Sequence, residues 1–171
     1  MFNGCTSLTT IGSIEATNLS SSCYAYMFKD CISLTTIGSI EATTLADSCY
    51  AYMFSGCESL TQAPELPATI LETSTSCYAY MFSGCESLTE VPELNSATLA
   101  PSCYEGMFSG CVKLTSAPEL PATTLKDSCY KGMFQGCVKL TKTPILSKTE
   151  TITTLVDFCY ANMFKDCTSL I

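Results

Sequence analysis

The sequence predicts an α/β repeat protein: a solenoid with short parallel strands on one face and short helices or turns on the other. The first observation is a sevenfold repeat of Met-Phe, with Cys three residues after the Phe and Leu three residues after the Cys. The second is its spacing, because successive methionines lie 26, 26, 28, 26, 26 and 30 residues apart. A fixed period of about 20 to 50 residues is typical of solenoids, whose units bury their apolar faces against their neighbours. The methionines are Met1, Met27, Met53, Met81, Met107, Met133 and Met163.

The composition argues against several classes of function. The chain has 171 residues, of which 47% are hydrophobic, and this content is enough to fill a core shaped as a column. Its 16 acidic residues and 8 lysines give a net charge of −8, and it contains no Arg, His or Trp. Nucleic acids and anionic membrane surfaces are bound through clustered Lys and Arg, so neither is an expected partner. No apolar run is long enough for a transmembrane helix, and no signal peptide is visible.

Both ends of the chain fall inside a repeat. Met1 is itself the methionine of a unit, and Ile171 follows directly on a Cys-x-x-Leu. Solenoids normally carry atypical capping units with a polar outer face, and no such unit is visible here. We therefore expect residues 1–171 to form a single solenoid of about six repeats that belongs to a longer array.

The part of each unit around the Met-Phe pair predicts a short helix, for example over residues 47–56. Cys49 and Met53 are spaced i, i+4 and would share one helix face. Asp47 or Ser48 could accept a hydrogen bond from an amide of the first turn. Gly56 stands where a helix commonly ends in a left-handed residue. The same position is filled by Gly4, Gly84, Gly110 and Gly136, and by Asp30 and Asp166 in two units.

The next part of each unit predicts a short strand that pairs in parallel with its counterparts, about 4.8 Å away. The predicted strands are residues 33–37, 59–63, 87–91, 113–117 and 139–143. Proline lacks a ladder donor and ends the later strands, whereas glycine stands there in the first units. These residues are Pro64, Pro92, Pro118 and Pro144, and Gly12 and Gly38. The repeat changes length at residues 69–76 and 145–158, which we expect to be surface loops.

A unit of Phe-x-x-Cys-x-x-Leu followed by a further small or apolar position resembles the BspA-like leucine-rich repeats of bacterial surface proteins. The resemblance covers the whole chain, with partial first and last copies, and Met replaces the Ala that usually precedes the Phe in that family. The matching residues are Phe28/Cys31/Leu34/Ile37, Phe54/Cys57/Leu60/Ala63, Phe82/Cys85/Leu88/Val91, Phe108/Cys111/Leu114/Ala117 and Phe134/Cys137/Leu140/Thr143. The resemblance implies a right-handed leucine-rich-repeat solenoid with a parallel sheet on one face. It also implies secretion, display at the cell surface and adhesion to host proteins or other cells, without enzyme activity.

The 13 cysteines form two columns whose members lie eight residues apart within a unit. One column is Cys23, Cys49, Cys77, Cys103, Cys129 and Cys159. The other is Cys5, Cys31, Cys57, Cys85, Cys111, Cys137 and Cys167. Three interpretations stay open: buried free thiols, disulfides within a repeat, and a metal site. Free thiols are favoured, because Cys is a small hydrophobic residue that is often found in cores. A metal site would usually include His or Cys-x-x-Cys, and neither is present. Nucleophilic catalysis by Cys is not expected, because no His is present as a base.

Three sets of repeated side chains are candidates for a binding surface. The first set lies on the face of the predicted strands and varies most between units: Gln62, Glu90, Ser116 and Lys142. The second is a tyrosine column in the first units: Tyr26, Tyr52 and Tyr80. The third is an acidic column, which is either simply solvated or binds a cation or a basic partner: Glu65, Glu93 and Glu119. Another tyrosine column lies beside Met and Phe, and we expect it to line the core: Tyr24, Tyr50, Tyr78, Tyr104, Tyr130 and Tyr160.

Together with these repeated surfaces, the resemblance implies a non-enzymatic, extracellular or cell-surface module that binds a protein or glycan ligand. They give no reason to expect a cofactor, a metal ion, a nucleic acid or insertion into a membrane. The alternative is a purely structural repeat, such as a spacer, a fibre or an array that assembles end to end through exposed solenoid ends. Both hypotheses fit an array of like units, which offers a surface rather than a single constellation of reactive groups.

Overall fold

A computed structural model describes residues 1–146 and 154–171, in which the chain forms coils that stack on one another. Equivalent side chains of successive coils lie directly above each other. The rings of Phe54 and Phe82, for example, stack with centroids 5.7 Å apart and an interplanar angle of 10°. This arrangement is the repeat solenoid that the period predicts.

Parallel pairing between coils is confirmed, although the strands are much shorter than predicted. Strand β1 (Thr10–Ile11) pairs in parallel with β2 (Thr36–Ile37), so that each residue faces its equivalent 26 positions later. Single parallel bridges continue the pairing elsewhere in the stack. They join Ile14 with Ile40, Asn18 with Thr44, Gln62 with Glu90, Thr98 with Thr124, and Leu120 with Leu146.

The strands are short because a turn takes up the amide at the second residue of the predicted strand. The amide of Leu34 donates to the carbonyl of Cys31 at 3.0 Å within its own coil, and the amide of Leu60 donates to Cys57 at 3.1 Å in the same way. In the later coils no strand forms over the predicted ranges within the described residues. A hydrogen bond of 3.2 Å from the Thr141 amide to the Thr115 carbonyl still holds these two coils in the same 26-residue register.

The prediction of a helix over residues 47–56 is wrong, because this segment is a series of turns. Ser48 and Tyr52 have φ angles of 54° and 56°, in the left-handed region that a right-handed helix does not admit. The Ala51 amide donates to the Ser48 carbonyl at 3.1 Å, and the Tyr50 amide donates to Cys77 of the next coil at 3.0 Å. Alternate amides thus serve the turn and the stack. The equivalent turn segments are 21–30, 75–84, 101–110, 127–136 and 157–166.

Of the residues predicted to start and end that helix, Asp47 has another role and Gly56 has the predicted conformation. Asp47 does not cap its own segment, because its carboxylate accepts a hydrogen bond of 2.8 Å from the amide of Thr75 in the next coil. Gly56 does take the left-handed conformation, with a φ of 76°. Asp30, which replaces the glycine one coil earlier, has a φ of 59°. The left-handed turn at this position is therefore confirmed, and Asp is among the residues that tolerate it best.

The core is a column built from the repeated Met, Phe, Cys and Leu positions, as predicted. In the third unit Met53, Phe54, Cys57 and Leu60 are all fully buried. The tyrosine column expected to line the core does lie there, and Tyr78, for example, is completely buried. Because each layer is covered by the next, the contacts that stabilise the chain are mostly between neighbouring coils.

The two predicted surface loops have different outcomes. In residues 69–76 Ile70 is exposed, but Leu71 and Ser74 are buried and the Ser74 hydroxyl donates to the Leu45 carbonyl at 3.1 Å. That loop is therefore partly core, because its inward side chains fill the layer above the preceding coil. The central part of the second loop, residues 147–153, lies outside the described residues. In the described ranges no helix has the length and apolarity needed to cross a membrane.

Candidate binding surface

Tyr26, Tyr52 and Tyr80 form a stacked column on the turn face, called here the tyrosine ladder. Their ring centroids lie 4.8 and 4.7 Å apart, and both pairs are parallel to within 7°. Tyr26 is 48% exposed, while Tyr52 and Tyr80 are half-buried. Since the ring faces cover one another, the ladder offers mainly ring edges and hydroxyl groups to a partner.

The left-handed turn geometry positions these side chains. Tyr26, Tyr52 and Tyr80 have φ angles of 58°, 56° and 55°, so each ring leaves the backbone in the same direction. The amide of Tyr26 donates to the Ala51 carbonyl at 3.0 Å, which locks the register of adjacent coils beside the ladder. A β-branched residue would be strained in this conformation, whereas the repeated turn holds three equivalent tyrosines in line.

A groove of about 690 Å³ runs along the ladder and is called here the tyrosine groove. Small side chains form its floor, and this leaves room beside the rings. It is lined by Ser22, Ser48 and Ser76, by Ala25, Ala51 and Ala79, by the three ladder tyrosines and by Glu105. A lining that mixes methyl groups, aromatic rings and hydroxyl groups suits a partner that combines apolar and hydrogen-bonding surface.

The ladder ends at a polar cluster that the sequence analysis missed. The Tyr80 hydroxyl donates to Glu105 Oε1 at 3.1 Å, and Lys131 Nζ lies 3.0 Å from the same oxygen. The repeat does contain a sequence signal for this polar cluster. The alanine at the position of Ala79 becomes Glu105 and then Lys131, in the same units in which the ladder tyrosine becomes glycine. Two aligned columns that change together indicate a local change in the surface.

The phenols of Tyr52 and Tyr80 keep their protons at neutral pH. Burial, together with the charge and the hydrogen bond of Glu105, raises the pKa of Tyr80 to about 12. Burial also raises the pKa of Tyr52, with smaller contributions from Tyr26 and Glu105. A protonated phenol donates a hydrogen bond, so the ladder presents donors, and Glu105 is its one neighbouring carboxylate in the groove lining.

The strand-face candidates are all exposed, and the structure brings them into two grooves rather than one. Gln62 and Glu65 line a groove between the second and third coils. A second groove, between the fourth and fifth coils, is lined by Glu90, Glu93, Ser116 and Glu119 among others. Lys142 is exposed and lines neither groove. The parallel bridge between Gln62 and Glu90 shows that these two residues occupy equivalent positions.

The cysteines are buried structural thiols for the most part. All 13 are free, and in one column the thiol donates to the Phe carbonyl of the preceding coil, for example Cys57 to Phe28 at 3.3 Å and Cys85 to Phe54 at 3.2 Å. Burial raises the pKa of Cys57 to about 12. A thiol with so little thiolate is a poor nucleophile and metal ligand. Across residues 1–146 and 154–171, no group of three or more His, Cys, Asp or Glu residues is placed to hold a metal ion.

Several hydroxyl groups of the buried tyrosine column lack a hydrogen-bond partner in the part of the chain that the structure describes. The hydroxyls of Tyr50, Tyr78 and Tyr130 are buried without a hydrogen-bond partner among the described residues. Burial raises the pKa of all three above the ordinary value of 10.0. A buried hydroxyl without a partner carries a desolvation cost, so these rings are held by their stacking, with centroids 5.9 Å apart between Tyr50 and Tyr78.

Comparison with known proteins gives one match. A family model described as "BspA type Leucine rich repeat region" matches the chain in six copies, over residues 1–64 and 65–171. No curated protein and no solved structure matches the chain. The match covers every residue, and its period agrees with the stacked coils described above.

Proposed function

The chain belongs to the BspA-type leucine-rich repeat family, and from that premise we propose that it is a non-enzymatic binding module displayed on a bacterial cell surface. Its ligand would be a protein or a glycan of a host or of another cell. The right-handed winding and the secretion that the family implies are part of the same proposal.

The tyrosine ladder is the observation that carries this proposal. Three equivalent tyrosines lie in line at intervals of 4.7–4.8 Å, beside a groove of about 690 Å³. Tyrosine gives a large contact area at a small entropy cost, because it has few rotatable bonds. Burial of the ring edges would supply apolar contact, and the hydroxyls would supply directional hydrogen bonds.

The end of the groove adds a polar anchor. Glu105 accepts the Tyr80 hydroxyl bond and faces Lys131, so a ligand there would meet one carboxylate and one ammonium group. Ligand hydroxyls or amides could replace the partly exposed Lys131, whose side chain is 41% exposed. This combination of aromatic edges and one charged pair favours a neutral, hydrogen-bonding ligand over a highly charged one.

The strand-face grooves are proposed as a secondary contact area. Their candidate residues are exposed and differ from unit to unit, as ligand-contacting positions on a repeat scaffold often do. The acidic column Glu65, Glu93 and Glu119 would favour a basic partner by long-range attraction. This area shares no lining residue with the tyrosine groove, so the two surfaces can be tested separately.

A screen with matched surface variants tests the proposal. The wild-type chain is applied to immobilised host matrix proteins and to a glycan array, together with Tyr52→Ala on the ladder and Gln62→Ala on the strand face. Binding that Tyr52→Ala abolishes and Gln62→Ala preserves would support the tyrosine groove as the contact site. Binding that survives Tyr52→Ala but is lost with Gln62→Ala would contradict that assignment.

A structural array is the second candidate function, and one observation favours it. The first coil leaves apolar side chains uncovered: Phe2 is 38% exposed and, with Leu8, Ile11 and Met27, lines an apolar groove. Such a surface could stack on the last coil of another copy. Light scattering over a concentration series tests this, because end-to-end stacking predicts a mass that grows with concentration, and a constant monomer mass would exclude it.

A further inference from the structure

We propose that the tyrosine ladder is a site of oxidative modification, at which a haem peroxidase with hydrogen peroxide joins two neighbouring tyrosines by a carbon–carbon bond. The linked pairs would be Tyr26 with Tyr52, or Tyr52 with Tyr80. The inference goes beyond the proposed binding function, because it concerns the reactivity of the chain itself and requires no ligand.

The stacking geometry brings the reacting atoms together. Coupling joins the ring carbons next to the phenol oxygen, and it is fast only when two tyrosyl radicals are adjacent. The ladder rings lie 4.8 and 4.7 Å apart by centroid and are nearly parallel. Exposed side chains can make the small rotation that brings two such carbons into bonding distance, and Tyr26 at the outer end is 48% exposed.

Access and spacing distinguish the ladder from the buried tyrosine column. Tyr50, Tyr78, Tyr104 and Tyr130 are at most 2% exposed, so a bulky oxidant cannot reach them. Their centroids are also farther apart, at 5.9 Å for Tyr78 and Tyr104. The close packing of the core holds these rings in place, whereas the ladder rings border an open groove.

Glu105 gives the ladder a route for the proton. A phenol that loses an electron becomes strongly acidic, and it must pass its hydroxyl proton to a base. The Tyr80 hydroxyl already donates to Glu105 Oε1 at 3.1 Å, so the carboxylate can accept that proton directly. The buried hydroxyls of Tyr50, Tyr78 and Tyr130 have no partner among the described residues, so their oxidation has no such outlet.

The reaction balances with hydrogen peroxide as the oxidant. The peroxidase removes one electron from each of two tyrosines, and each hydroxyl proton leaves with it. The two radicals form one carbon–carbon bond, and the hydrogens on the bonded carbons move to the oxygens as the rings become aromatic again. One peroxide takes up the two electrons and two protons and becomes two molecules of water.

The buried thiols do not compete strongly for the oxidant. Oxidation of cysteine requires exposure and thiolate character, and burial raises the pKa of Cys49 to about 11 and that of Cys57 to about 12. Cys23 is exposed and can react, but a disulfide formed by it is reversed by a reducing agent, and its oxygenated products gain mass where tyrosine coupling loses two hydrogen atoms. A carbon–carbon link resists reduction, so analysis in reducing conditions separates the two reactions.

Peroxidase treatment of the intact chain at low concentration tests the inference. We expect a monomeric product in reducing gels, with a mass lower by two hydrogen atoms and the blue fluorescence of coupled tyrosine. Peptide mapping should place the link between Tyr26 and Tyr52 or between Tyr52 and Tyr80. Because the link closes a loop between two coils, it should also raise the urea midpoint of unfolding.

Two conservative variants complete the design. Tyr52→Phe keeps the stacked ring but removes the shared reaction partner, so we expect the intrachain link to be lost. Tyr104→Phe removes a buried phenol of the other column, so the yield should stay at the wild-type level. An unmodified wild-type mass, links only between chains, or an undiminished yield in Tyr52→Phe would each overturn the proposal.

Discussion

The Cα of Gly106 lies so close beneath the ring of Tyr80 that a Cβ at position 106 would overlap ring carbon Cε1 and come within 2.8 Å of Cζ. Gly106 occupies the position that carries tyrosine in the three preceding coils. The ladder therefore ends at Tyr80 because its ring packs against the glycine of the next coil, while the Tyr80 hydroxyl bonds to the adjacent Glu105.

Substitution of this glycine should destabilise the chain more than substitution of its counterpart one coil later. Gly106 and Gly132 have φ angles of 59° and 60°, so the left-handed backbone conformation should lower the free energy of unfolding of either alanine variant by the same amount, about 1 kcal/mol. Only Gly106→Ala must also displace the Tyr80 ring, because the nearest atom to a Cβ at Gly132 is Gln135 Oε1, at 3.5 Å.

Urea denaturation of the two variants measures this difference, and a Tyr80→Ala background supplies the control. We expect the excess cost of Gly106→Ala over Gly132→Ala to disappear when the ring is removed. Equal free energies of unfolding for the two single variants would show that Tyr80 does not pack on Gly106.

Serine should be better tolerated in one cysteine column than in the other. At Cys85 the Phe54 carbonyl lies 3.2 Å from the sulfur, so it can accept a hydrogen bond from a serine hydroxyl placed there. Cys77 is equally buried, and within the described residues its sulfur has no such bond to a carbonyl. An unsatisfied hydroxyl there costs about 1 to 3 kcal/mol.

We therefore expect Cys77→Ser to lower the free energy of unfolding by more than Cys85→Ser, as measured by urea denaturation. Cys77→Ala and Cys85→Ala, each costing on the order of 1 kcal/mol for lost packing, are the matched controls. If the two serine variants were equally stable, the thiol–carbonyl bond would contribute nothing that a hydroxyl can replace.

The chain should lose stability in alkaline solution. Burial raises the pKa of Cys57 from an ordinary value of 9.0 to about 12, and that of Cys49 to about 11. The unfolded thiols lose their protons first, so the stability they contribute is complete below pH 9 and falls as the pH rises through 9 to 12. Melting temperatures across this range should decline, and less steeply for Cys57→Ala. A flat profile would show that these thiols titrate alike in both states.

Thiol counting checks the state of the cysteines. We expect close to 13 reactive thiols after denaturation without reductant, because all 13 are free in the structure. In the native chain Cys23 should react first, since it is the one exposed cysteine among the described residues. Reductant should leave the melting temperature unchanged. A count near one would instead indicate disulfides within the repeats.

The sequence alone predicts the periodic features of this fold well. The repeat of Phe, Cys and Leu identifies the core column, and the recurring glycine marks a left-handed turn. Backbone conformation between these points was not predictable, because Ser48 and Tyr52 take left-handed angles that their residue types do not favour. Those angles are stabilised by hydrogen bonds from backbone amides to carbonyls of the next coil, and no pattern within one repeat reveals these bonds.

The candidate surface was predictable only in part. The recurrence of tyrosine in the first units identified Tyr26, Tyr52 and Tyr80, but whether ring faces or edges point outward depends on the distance between coils. At 4.7 Å the faces of Tyr52 and Tyr80 cover each other, so mainly their edges are open to a partner. The roles of the strand-face and acidic residues stay predictions, since exposure alone does not assign a ligand.

The register of adjacent coils positions both the core column and the tyrosine ladder, and nuclear Overhauser contacts in solution test this register directly. We expect contacts between the rings of Tyr52 and Tyr80, and between the Tyr50 amide and Cys77, whose carbonyl accepts that amide at 3.0 Å. A helix over 47–56 would instead give a continuous series of contacts from residue i to i+3. Helical contacts there, with none between Tyr50 and Cys77, would contradict the stacked coils and the tyrosine ladder built on them.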